Sequence, residues 1–311
     1  MIVTVTMNPA IDKTIDIEAM DQGGLNRIQH VEYDAGGKGI NVSKTIRQLQ
    51  GKSIATGFLG GNAGKTIENV LHTQGIDADF VWVEGETRTN TKVVEKNGTV
   101  TELNEPGPEI SSAQIDQLMN KLMGYAKEDT LFVLAGSVPS SVEKNIYKKM
   151  IEKLHETGAK VLLDADGDLF VNALEAGPDI IKPNKVELEE YAGVGHDTSL
   201  KDIAGIAKNL MNKGVATVAV SLGSEGALII RPDNQVKAPG LKVKAHSTVG
   251  AGDAFVAALA YSWDEKLDFT EMVKTCMATS AGAVTTIGTK PPTKEVIEEL
   301  KKQVKIEEIG E

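Results

Sequence analysis

The sequence predicts an α/β protein with a doubly wound, mostly parallel central sheet that is flanked by helices, and with a small additional β-sheet. Short runs rich in Val, Ile and Leu alternate along the chain with longer stretches of helical periodicity, which is typical of βαβ units. The apolar runs lack polar alternation, as expected for strands that helices cover on both faces. Two other stretches alternate between polar and apolar residues, and these predict the additional sheet.

The apolar runs and the helical stretches place the individual elements. Strands of the central sheet are predicted at Ile2–Met7, Ser53–Gly57, Asp79–Val83, Thr130–Ala135, Lys160–Asp164, Asp179–Lys182 and Thr217–Leu222. Helices are predicted near Gly39–Gln50, Gly64–Gln74, Ser111–Tyr125, Ser141–Thr157, Lys185–Tyr191, Leu200–Lys213, Gly252–Trp263, Thr270–Thr286 and Lys294–Val304. The additional sheet is predicted from Thr14–Ile17, Gly24–Tyr33 and Thr87–Leu103. Because no linker or repeat divides the chain, we expect one domain over residues 1–311, with the additional sheet inserted at about 14–34 and 87–103.

The charge balance limits the classes of partner. The sequence has 33 Lys and Arg residues against 44 Asp and Glu residues, so its formal net charge is −11 at pH 7. A chain this acidic is not expected to bind nucleic acid or an anionic membrane surface, because its overall field repels both. An anionic substrate would therefore need a local cluster of basic side chains.

Cys276 is the only cysteine in the sequence. It cannot form an intrachain disulfide or a cysteine-built metal site, and its isolation favours a reducing compartment. The longest near-apolar run, Ala254–Trp263, is much shorter than the ~20 residues of a membrane-spanning helix, and the first residues lack a basic leader. We therefore expect a cytoplasmic protein that does not enter the membrane.

The segment Ser247–Phe255 carries the strongest signal for chemistry. Gly250 and Gly252 have no Cβ, so the backbone can approach a phosphate closely, and the helix that begins there directs unpaired N–H groups at the same point. Asp253 falls in the first helical turn, where its carboxylate could accept a proton from a substrate hydroxyl. A glycine turn followed by a helix N-cap is the structural alternative.

A second glycine cluster, Gly36-Gly37-Lys38-Gly39, also leads into a predicted helix. Its backbone is suited to the close approach of a ligand, Lys38 offers a point charge for a phosphate, and Asn41 adds a hydrogen-bonding amide. A glycine-rich turn with an exposed lysine is the alternative explanation.

Four further polar residues complete a candidate binding region. Asp12 is expected at the carboxyl end of the first strand, where parallel sheets place ligands, so it could bind sugar hydroxyls; an Asx turn also explains it. Arg27 and Arg88, with Asn90, fall in the additional sheet, and a guanidinium fork matches phosphate oxygens. Together with Lys38 they would form the basic cluster that the net charge demands, whereas each alone is explained as a solvated strand residue.

Two further turns follow strands of the central sheet. In Lys182–Glu187, Asn184 and Glu187 have the spacing of a helix capping box, and they could also reach Mg²⁺ through water beside nucleotide phosphates. The segment Ser221–Ala227 joins a strand to a hairpin. Its glycines could admit a nucleotide, and a tight β-turn explains them equally well.

These motifs, in this order, resemble those of the ribokinase-type (PfkB) sugar kinases, and most closely their hexose-phosphate branch, the 1-phosphofructokinases and tagatose-6-phosphate kinases. The motifs are Thr4–Asp12, Gly36–Val42, Lys182–Asn184 with Glu187, Ser221–Gly223 and Val249–Asp253. The resemblance covers nearly the whole chain. It implies a ribokinase-like fold in which the additional sheet is a lid, and an ATP-dependent phosphoryl transfer to a sugar phosphate with Mg²⁺.

The resemblance also implies roles for individual residues. Asp253 would be the catalytic base. The anion hole would be formed by Gly250, Ala251 and Gly252. The sugar phosphate would be bound by Asp12, Arg27, Gly37, Lys38, Asn41, Arg88, Asn90 and Ser137. ATP would be bound by Lys182, Asn184, Ser221, Gly223 and Gly226. Glu187 would hold Mg²⁺ through water.

The same resemblance implies a homodimer formed through the lid, with ATP and Mg²⁺ as cofactors and a monovalent cation as a further candidate. The resemblance favours fructose 1-phosphate as the substrate, giving fructose 1,6-bisphosphate, and leaves tagatose 6-phosphate as the alternative. A ribokinase or nucleoside kinase is disfavoured, because Arg27, Lys38 and Arg88 would then surround a neutral sugar. A non-catalytic sugar-phosphate sensor is disfavoured by the presence of Asp253 with both of its neighbouring glycines.

Overall fold

The computed structural model describes residues 1–308, so the last three residues of the predicted domain, 309–311, lie outside the described chain. The strands are β1 (Ile2–Thr6), β2 (Ala10–Ile17), β3 (His30–Gly36), β4 (Ser53–Gly60), β5 (Asp77–Ala78), β6 (Val81–Val83), β7 (Arg88–Glu95), β8 (Val100–Asn104), β9 (Leu131–Ala135), β10 (Lys160–Asp164), β11 (Ile180–Ile181), β12 (Thr217–Ser221), β13 (Ala227–Arg231), β14 (Asn234–Ala238) and β15 (Glu307–Glu308). The helices are α1 (Lys38–Gln48), α2 (Gly61–Thr73), α3 (Ser112–Tyr125), α4 (Ile146–His155), α5 (Gly167–Leu174), α6 (Lys185–Ala192), α7 (Leu200–Met211), α8 (Ala251–Asp264), α9 (Phe269–Val284) and α10 (Lys294–Lys301).

The larger sheet confirms the mostly parallel arrangement that the sequence predicts. Its strands follow the order β15-β14-β13-β12-β11-β10-β9-β1-β4-β5, and β6 pairs with the end of β4. The pairings between β12 and β5 are parallel. β13, β14 and β15 extend the sheet in antiparallel fashion. The hairpin expected after Ser221–Ala227 is therefore formed by β13 and β14 at one edge.

Side chains of the central strands alternate between two apolar cores on opposite faces of the larger sheet. On β1, Val3 and Val5 belong to one core and Ile2 to the other, and all three are fully buried. β9 alternates in the same way, with Phe132 in the first core and Leu131 in the second. Helices cover both faces, which explains why these strands show no polar alternation in the sequence.

α8 is buried along most of its length and packs against α9 and α1. Its side chains at this contact are small, and Ala254, Ala257 and Ala258 are at most 1% exposed. Small residues allow helices to approach closely, so α8 is held firmly in the second core.

A few elements differ from the prediction. Of the strand predicted over Asp79–Val83, only β6 is formed, and the two-residue strand β5 lies before the predicted range. Asp79 lies between β5 and β6, where its carboxylate accepts hydrogen bonds from Lys121 and Tyr125. The sequence pattern does not predict the short helix α5 or the two-residue strand β15. Every helix that the sequence predicts is present. Within the described chain, no helix combines the length and the apolar character that crossing a lipid bilayer requires.

The smaller sheet, of order β3-β2-β7-β8, is the additional sheet that the sequence predicts. Its strand β2 begins at Ala10, whereas the prediction began at Thr14. Asp12 therefore lies inside this sheet, and the expectation that it ends the first strand is wrong. The chain leaves β1 after Thr6 and turns at Pro9, which has no N–H to continue a ladder.

The loop before β3 also differs from the prediction. Residues 24–29, expected to be extended, precede the strand, which begins at His30. The side chain of Asn26 accepts a hydrogen bond from the backbone N–H of Asp21 and donates one to its carbonyl. This side chain gives the backbone an alternative to strand pairing.

Alternation along the strands gives the smaller sheet two different faces. One cross-strand row consists of Asp34, Asp12, Asn90 and Asn104. The neighbouring row, on the opposite face, consists of Tyr33, Lys13, Thr91 and Leu103. The polar face contributes to the cleft described below.

Candidate active site

The first of two adjoining cavities lies between the carboxyl ends of β1 and β9 and the smaller sheet, and has a volume of about 340 Å³. It is lined by Thr6, Asn8, Asp12, Gly37, Lys38, Asn41, Arg88, Asn90, Lys92, Ala135, Gly136, Ser137, Asp166, Val249, Gly250, Asp253 and Thr289. The structure thus brings together most of the residues predicted to bind the sugar phosphate, together with part of the predicted catalytic segment.

The second cavity, of about 440 Å³, has a more apolar lining. It is lined by Asn184, Ser221, Gly223, Ser224, Gly226, Gly240, Leu241, Val243, Ala245, Thr248, Ala251, Gly252, Phe255, Met277, Ser280, Ala281 and Val284. Ala251 and Gly252 line this cavity, whereas Gly250 and Asp253 line the first. The first turn of α8 is therefore the wall between the two cavities.

The amino end of α8 has the geometry of an anion hole. Gly250 is the N-cap residue and has φ = 83°, a left-handed conformation that favours glycine. A Cβ at this position would lie 3.4 Å from Cα of Thr289. No described side chain caps this helix end. The first N–H groups are thus available to an anion, and the positive end of the helix dipole points at the same place.

Asp253 lies at this helix end with its carboxylate in the first cavity. It is 9% exposed, and its Oδ2 accepts a hydrogen bond of 2.8 Å from Nδ2 of Asn41. Burial, reinforced by the charge of Asp164, raises the pKa of Asp253 to about 6, although the Asn41 hydrogen bond opposes the shift. A carboxylate that titrates close to neutral pH is suited to exchange a proton with a ligand.

A buried charge cluster adjoins Asp253. Asp164, at the end of β10, is 3% exposed, and its oxygens lie 3.4 Å from Nζ of Lys38 and 3.2 Å from Nζ of Lys182. Burial alone would raise the pKa of Asp164, but the two ammonium groups hold it below its usual range. Burial opposes the charged form of Lys38, yet the surrounding carboxylates raise its pKa. Asp164 therefore favours the charged form of Lys38 and pairs with Lys182 beside the wall between the cavities.

Asp12 and Asn90 form a pair on the polar face of the smaller sheet, with Nδ2 of Asn90 3.3 Å from Oδ1 of Asp12. Burial raises the pKa of Asp12. Arg88 lies beside them, but its Nη1 and Nη2 donate to the backbone carbonyls of Glu105 and Asn8 at 3.2 and 3.0 Å. Two N–H groups of the guanidinium thus hold the backbone, and the buried Nε–H has no partner among the described atoms.

Arg27 is not brought to the cleft. It is exposed in the loop between β2 and β3, and it lines neither of the two cavities. Its contact with a sugar phosphate stays a prediction. Ser137 and Gly37, by contrast, both line the first cavity.

Comparison with known proteins identifies the family of this chain. The model of the pfkB family carbohydrate kinases matches residues 5–296. This chain belongs to that family. The kinase is 34% identical over 306 residues to the 1-phosphofructokinase of Bacillus subtilis, which covers 98% of this chain and 99% of that protein.

Solved structures confirm the fold of the kinase. The phosphofructokinase-2 of Escherichia coli in complex with fructose-6-phosphate is 25% identical and has a TM-score of 0.90, covering 97% of this chain and 98% of that chain. The ribokinase of Thermotoga maritima is 20% identical with a TM-score of 0.79, covering 97% of this chain and 99% of that chain. The predicted ribokinase-like fold is therefore confirmed.

The turn at the start of α6 in this kinase forms a capping box. The backbone N–H of Glu187 donates to Oδ1 of Asn184 at 2.8 Å, and the backbone N–H of Asn184 donates to Oε2 of Glu187 at 2.8 Å. Burial raises the pKa of Glu187. Within residues 1–308, no three acidic, histidine or cysteine side chains are grouped so that they could hold a metal ion. The donor set fits Mg²⁺ that keeps waters and nucleotide phosphates as most of its ligands.

Several residues of the kinase site are absent from the predicted set, among them Asp164, Asp166, Lys92 and Thr289. Asp164 ends β10 and Asp166 follows two residues later, and the end of a parallel strand is where such sheets bind ligands, so this signal could have found them. Lys92 continues the alternate-residue pattern on the polar face of β7. Thr289 lies in a loop far along the chain and carries no comparable sequence signal.

Proposed function

We propose that this kinase transfers the γ-phosphoryl group of ATP to the 6-hydroxyl of fructose 1-phosphate, giving fructose 1,6-bisphosphate and ADP. The observation that carries the proposal is the wall between the two cavities, where the carboxylate of Asp253 and the uncapped N–H groups of α8 meet. The 1-phosphofructokinase of Bacillus subtilis supports the choice of sugar phosphate.

The proposed transfer needs a base and a place for negative charge. The hydroxyl oxygen bonds to the γ-phosphorus, its proton passes to Asp253, and the bond between that phosphorus and the oxygen of ADP breaks. The N–H groups of Gly250–Gly252 stabilise the charge on the transferring group. Mg²⁺, when bound, neutralises charge on the nucleotide phosphates, and Asn184 and Glu187 would hold it through water.

The second cavity is suited to the nucleotide. Leu241, Val243 and Phe255 give it apolar walls, which match the face of an adenine ring. Asn184 and Ser221 add polar groups to the same cavity. We place ATP here, with its γ-phosphate at the amino end of α8.

The first cavity is suited to a sugar phosphate despite the net charge of −11. Asp12 and Asn90 present a carboxylate and an amide to sugar hydroxyls. Lys38 lies in the cavity and Lys182 lies near its wall, where a Cβ at Gly252 would be 3.6 Å from the ammonium group of Lys182. These two charges, with Arg88 and Lys92 in the lining, form the local basic cluster that the acidic chain requires.

The test is a coupled assay of ADP release with fructose 1-phosphate, tagatose 6-phosphate, fructose 6-phosphate, fructose and adenosine. The highest kcat/KM is expected with fructose 1-phosphate. A preference for tagatose 6-phosphate would identify the alternative substrate. Binding of a sugar phosphate without ADP release would identify a non-catalytic sensor. Repeating the assay in potassium and in tetramethylammonium salts tests the predicted monovalent cation.

We further propose that two copies of the chain pair through the face of the smaller sheet opposite the cleft. Tyr33 and Leu103 on this face are 61% and 57% exposed, and Leu25 and Ile28 in the adjoining loop are 75% and 51% exposed. Large apolar side chains that are exposed on one face favour a protein interface there. Sedimentation should give twice the chain mass of 33.1 kDa, and Leu103→Glu should give a monomer. A monomeric wild type would overturn this pairing.

A further inference from the structure

Lys92 lies in the first cavity, in line with two residues of the predicted site. Arg88, Asn90 and Lys92 occupy alternate positions of β7, so their side chains share one face of the strand. All three line the cavity of about 340 Å³. Across the strands Lys92 is opposite Thr14, two positions beyond the Asp12–Asn90 pair.

The ammonium group of Lys92 makes one long ion pair in the described structure, and its charge also opposes the rise in pKa that burial causes at nearby Asp12. This ion pair is with Oε1 of Glu102 at 4.0 Å, and the side chain of Glu102 is 48% exposed. The side chain of Lys92 is only 15% exposed, so most of it is shielded from water. An ion pair this long with a well-exposed partner contributes little free energy. Lys92 can therefore turn to a ligand at small cost.

The other two cations that line the cavity are already engaged. Lys38 lies 3.4 Å from the buried carboxylate of Asp164. Arg88 donates two hydrogen bonds to backbone carbonyl groups. Among the cations that line this cavity, Lys92 thus has the longest direct contact with a partner in the described chain, at 4.0 Å.

We propose that Lys92 binds the phosphate group that the sugar substrate already carries, and so selects phosphorylated sugars; this rests on the proposed function. Asp253 marks the place of the reacting hydroxyl, and Asp12 and Asn90 the place of the sugar hydroxyls. Lys92 lies about 6.6 Å farther along β7 than Asn90, by the rise of ~3.3 Å per strand residue. At this distance from Asn90, Lys92 can contact a phosphate at the end of a sugar whose hydroxyls are bound by Asp12 and Asn90.

Steady-state kinetics of Lys92→Met, Lys92→Arg and the control Lys96→Met test the proposal. Lys96 follows β7, is 72% exposed, and pairs with Glu18 outside the cleft. In Lys92→Met the KM for fructose 1-phosphate should rise about 10- to 100-fold, because a charge-assisted hydrogen bond is lost. The kcat and the KM for ATP should stay within about threefold of wild type. Lys92→Arg should restore most of the affinity, and Lys96→Met should match wild type.

Titration of fructose 1-phosphate and tagatose 6-phosphate, which needs no turnover, separates this proposal from the proposed function. Turnover with an unchanged KM in Lys92→Met, or an equal rise in the KM for ATP, would overturn the role of Lys92 and leave the proposed function standing. Binding without turnover in wild type, weakened in Lys92→Met, would overturn the proposed function and keep the phosphate site. Absence of binding to wild type would overturn both. Thermal melting of each variant checks that it is folded.

Discussion

The hydrogen bond between Asn41 and Asp253 should set the pH at which the kinase loses activity. As a base, Asp253 must be ionised, and its pKa of about 6 means that it becomes protonated as the pH falls through that value. The bond from Nδ2 of Asn41, 2.8 Å long, stabilises the ionised form. The variant Asn41→Ala removes that bond, so the pKa of Asp253 should rise and activity should be lost at a higher pH.

The size of this shift follows from the burial of the pair. Asn41 and Asp253 are 6% and 9% exposed, so solvent screens their contact weakly. A hydrogen bond to a charged group contributes about 1.5–3 kcal/mol, and 1.36 kcal/mol corresponds to one pKa unit. The acidic limb of the pH profile should therefore move upward by about one to two pH units.

The assay is kcat/KM for fructose 1-phosphate between pH 5 and pH 9 with saturating ATP. The phosphate of the sugar also ionises near pH 6, but it does so identically with both enzymes, so the displacement between the two profiles reports the enzyme alone. Asn41 lines the sugar cavity, so the height of the profile is expected to fall as well. If the acidic limbs of wild type and Asn41→Ala lie at the same pH, Asp253 is not the base whose pKa is lowered by the hydrogen bond from Asn41.

Three further outcomes are expected. Asp253→Asn should lower kcat by ~10²–10⁴ and leave ATP binding intact in titrations, whereas activity within threefold of wild type would place the base elsewhere. Asp164→Asn should lower the free energy of unfolding in urea by about 3–5 kcal/mol, because the buried ammonium group of Lys182 and the partly exposed one of Lys38 lose their partner; an unchanged midpoint would contradict the charge cluster. Sugar phosphate should slow amide exchange over 24–33 and 87–103 if the smaller sheet closes as a lid, and ATP alone should do much less.

The parallel strands of the larger sheet could be predicted because a strand covered on both faces needs a continuous run of apolar residues. Each strand from β12 to β4 is covered on both faces, and the run of apolar residues in β1 records that directly. The start of β2 was not predictable in the same way. Polar residues such as Asp12 in its first half face a ligand cleft and follow no core pattern, so the sequence shows no strand signal there.

The site was predictable where a motif lies within one turn and was missed where distant segments meet. The glycines around Asp253 and the capping box at Asn184 are each contained in a few consecutive residues. Asp164 and Lys38 are far apart in sequence, and only the fold brings them to 3.4 Å. Arg88 shows that residue type alone can mislead. A guanidinium in this position predicts a phosphate contact, but in the fold its two terminal nitrogens donate to backbone carbonyl groups.

The close packing of α8 bears on how substrate choice can change during evolution. Ala254, Ala257 and Ala258 are buried, so enlarging one of them is expected to strain the core and shift the helix whose first turn carries Asp253. Both cavities would be disturbed together. Substitutions on the smaller sheet reshape one wall of one cavity and leave the reacting groups in place. Changes in sugar preference are therefore expected to come from substitutions in the smaller sheet, while the sequence of α8 stays constant.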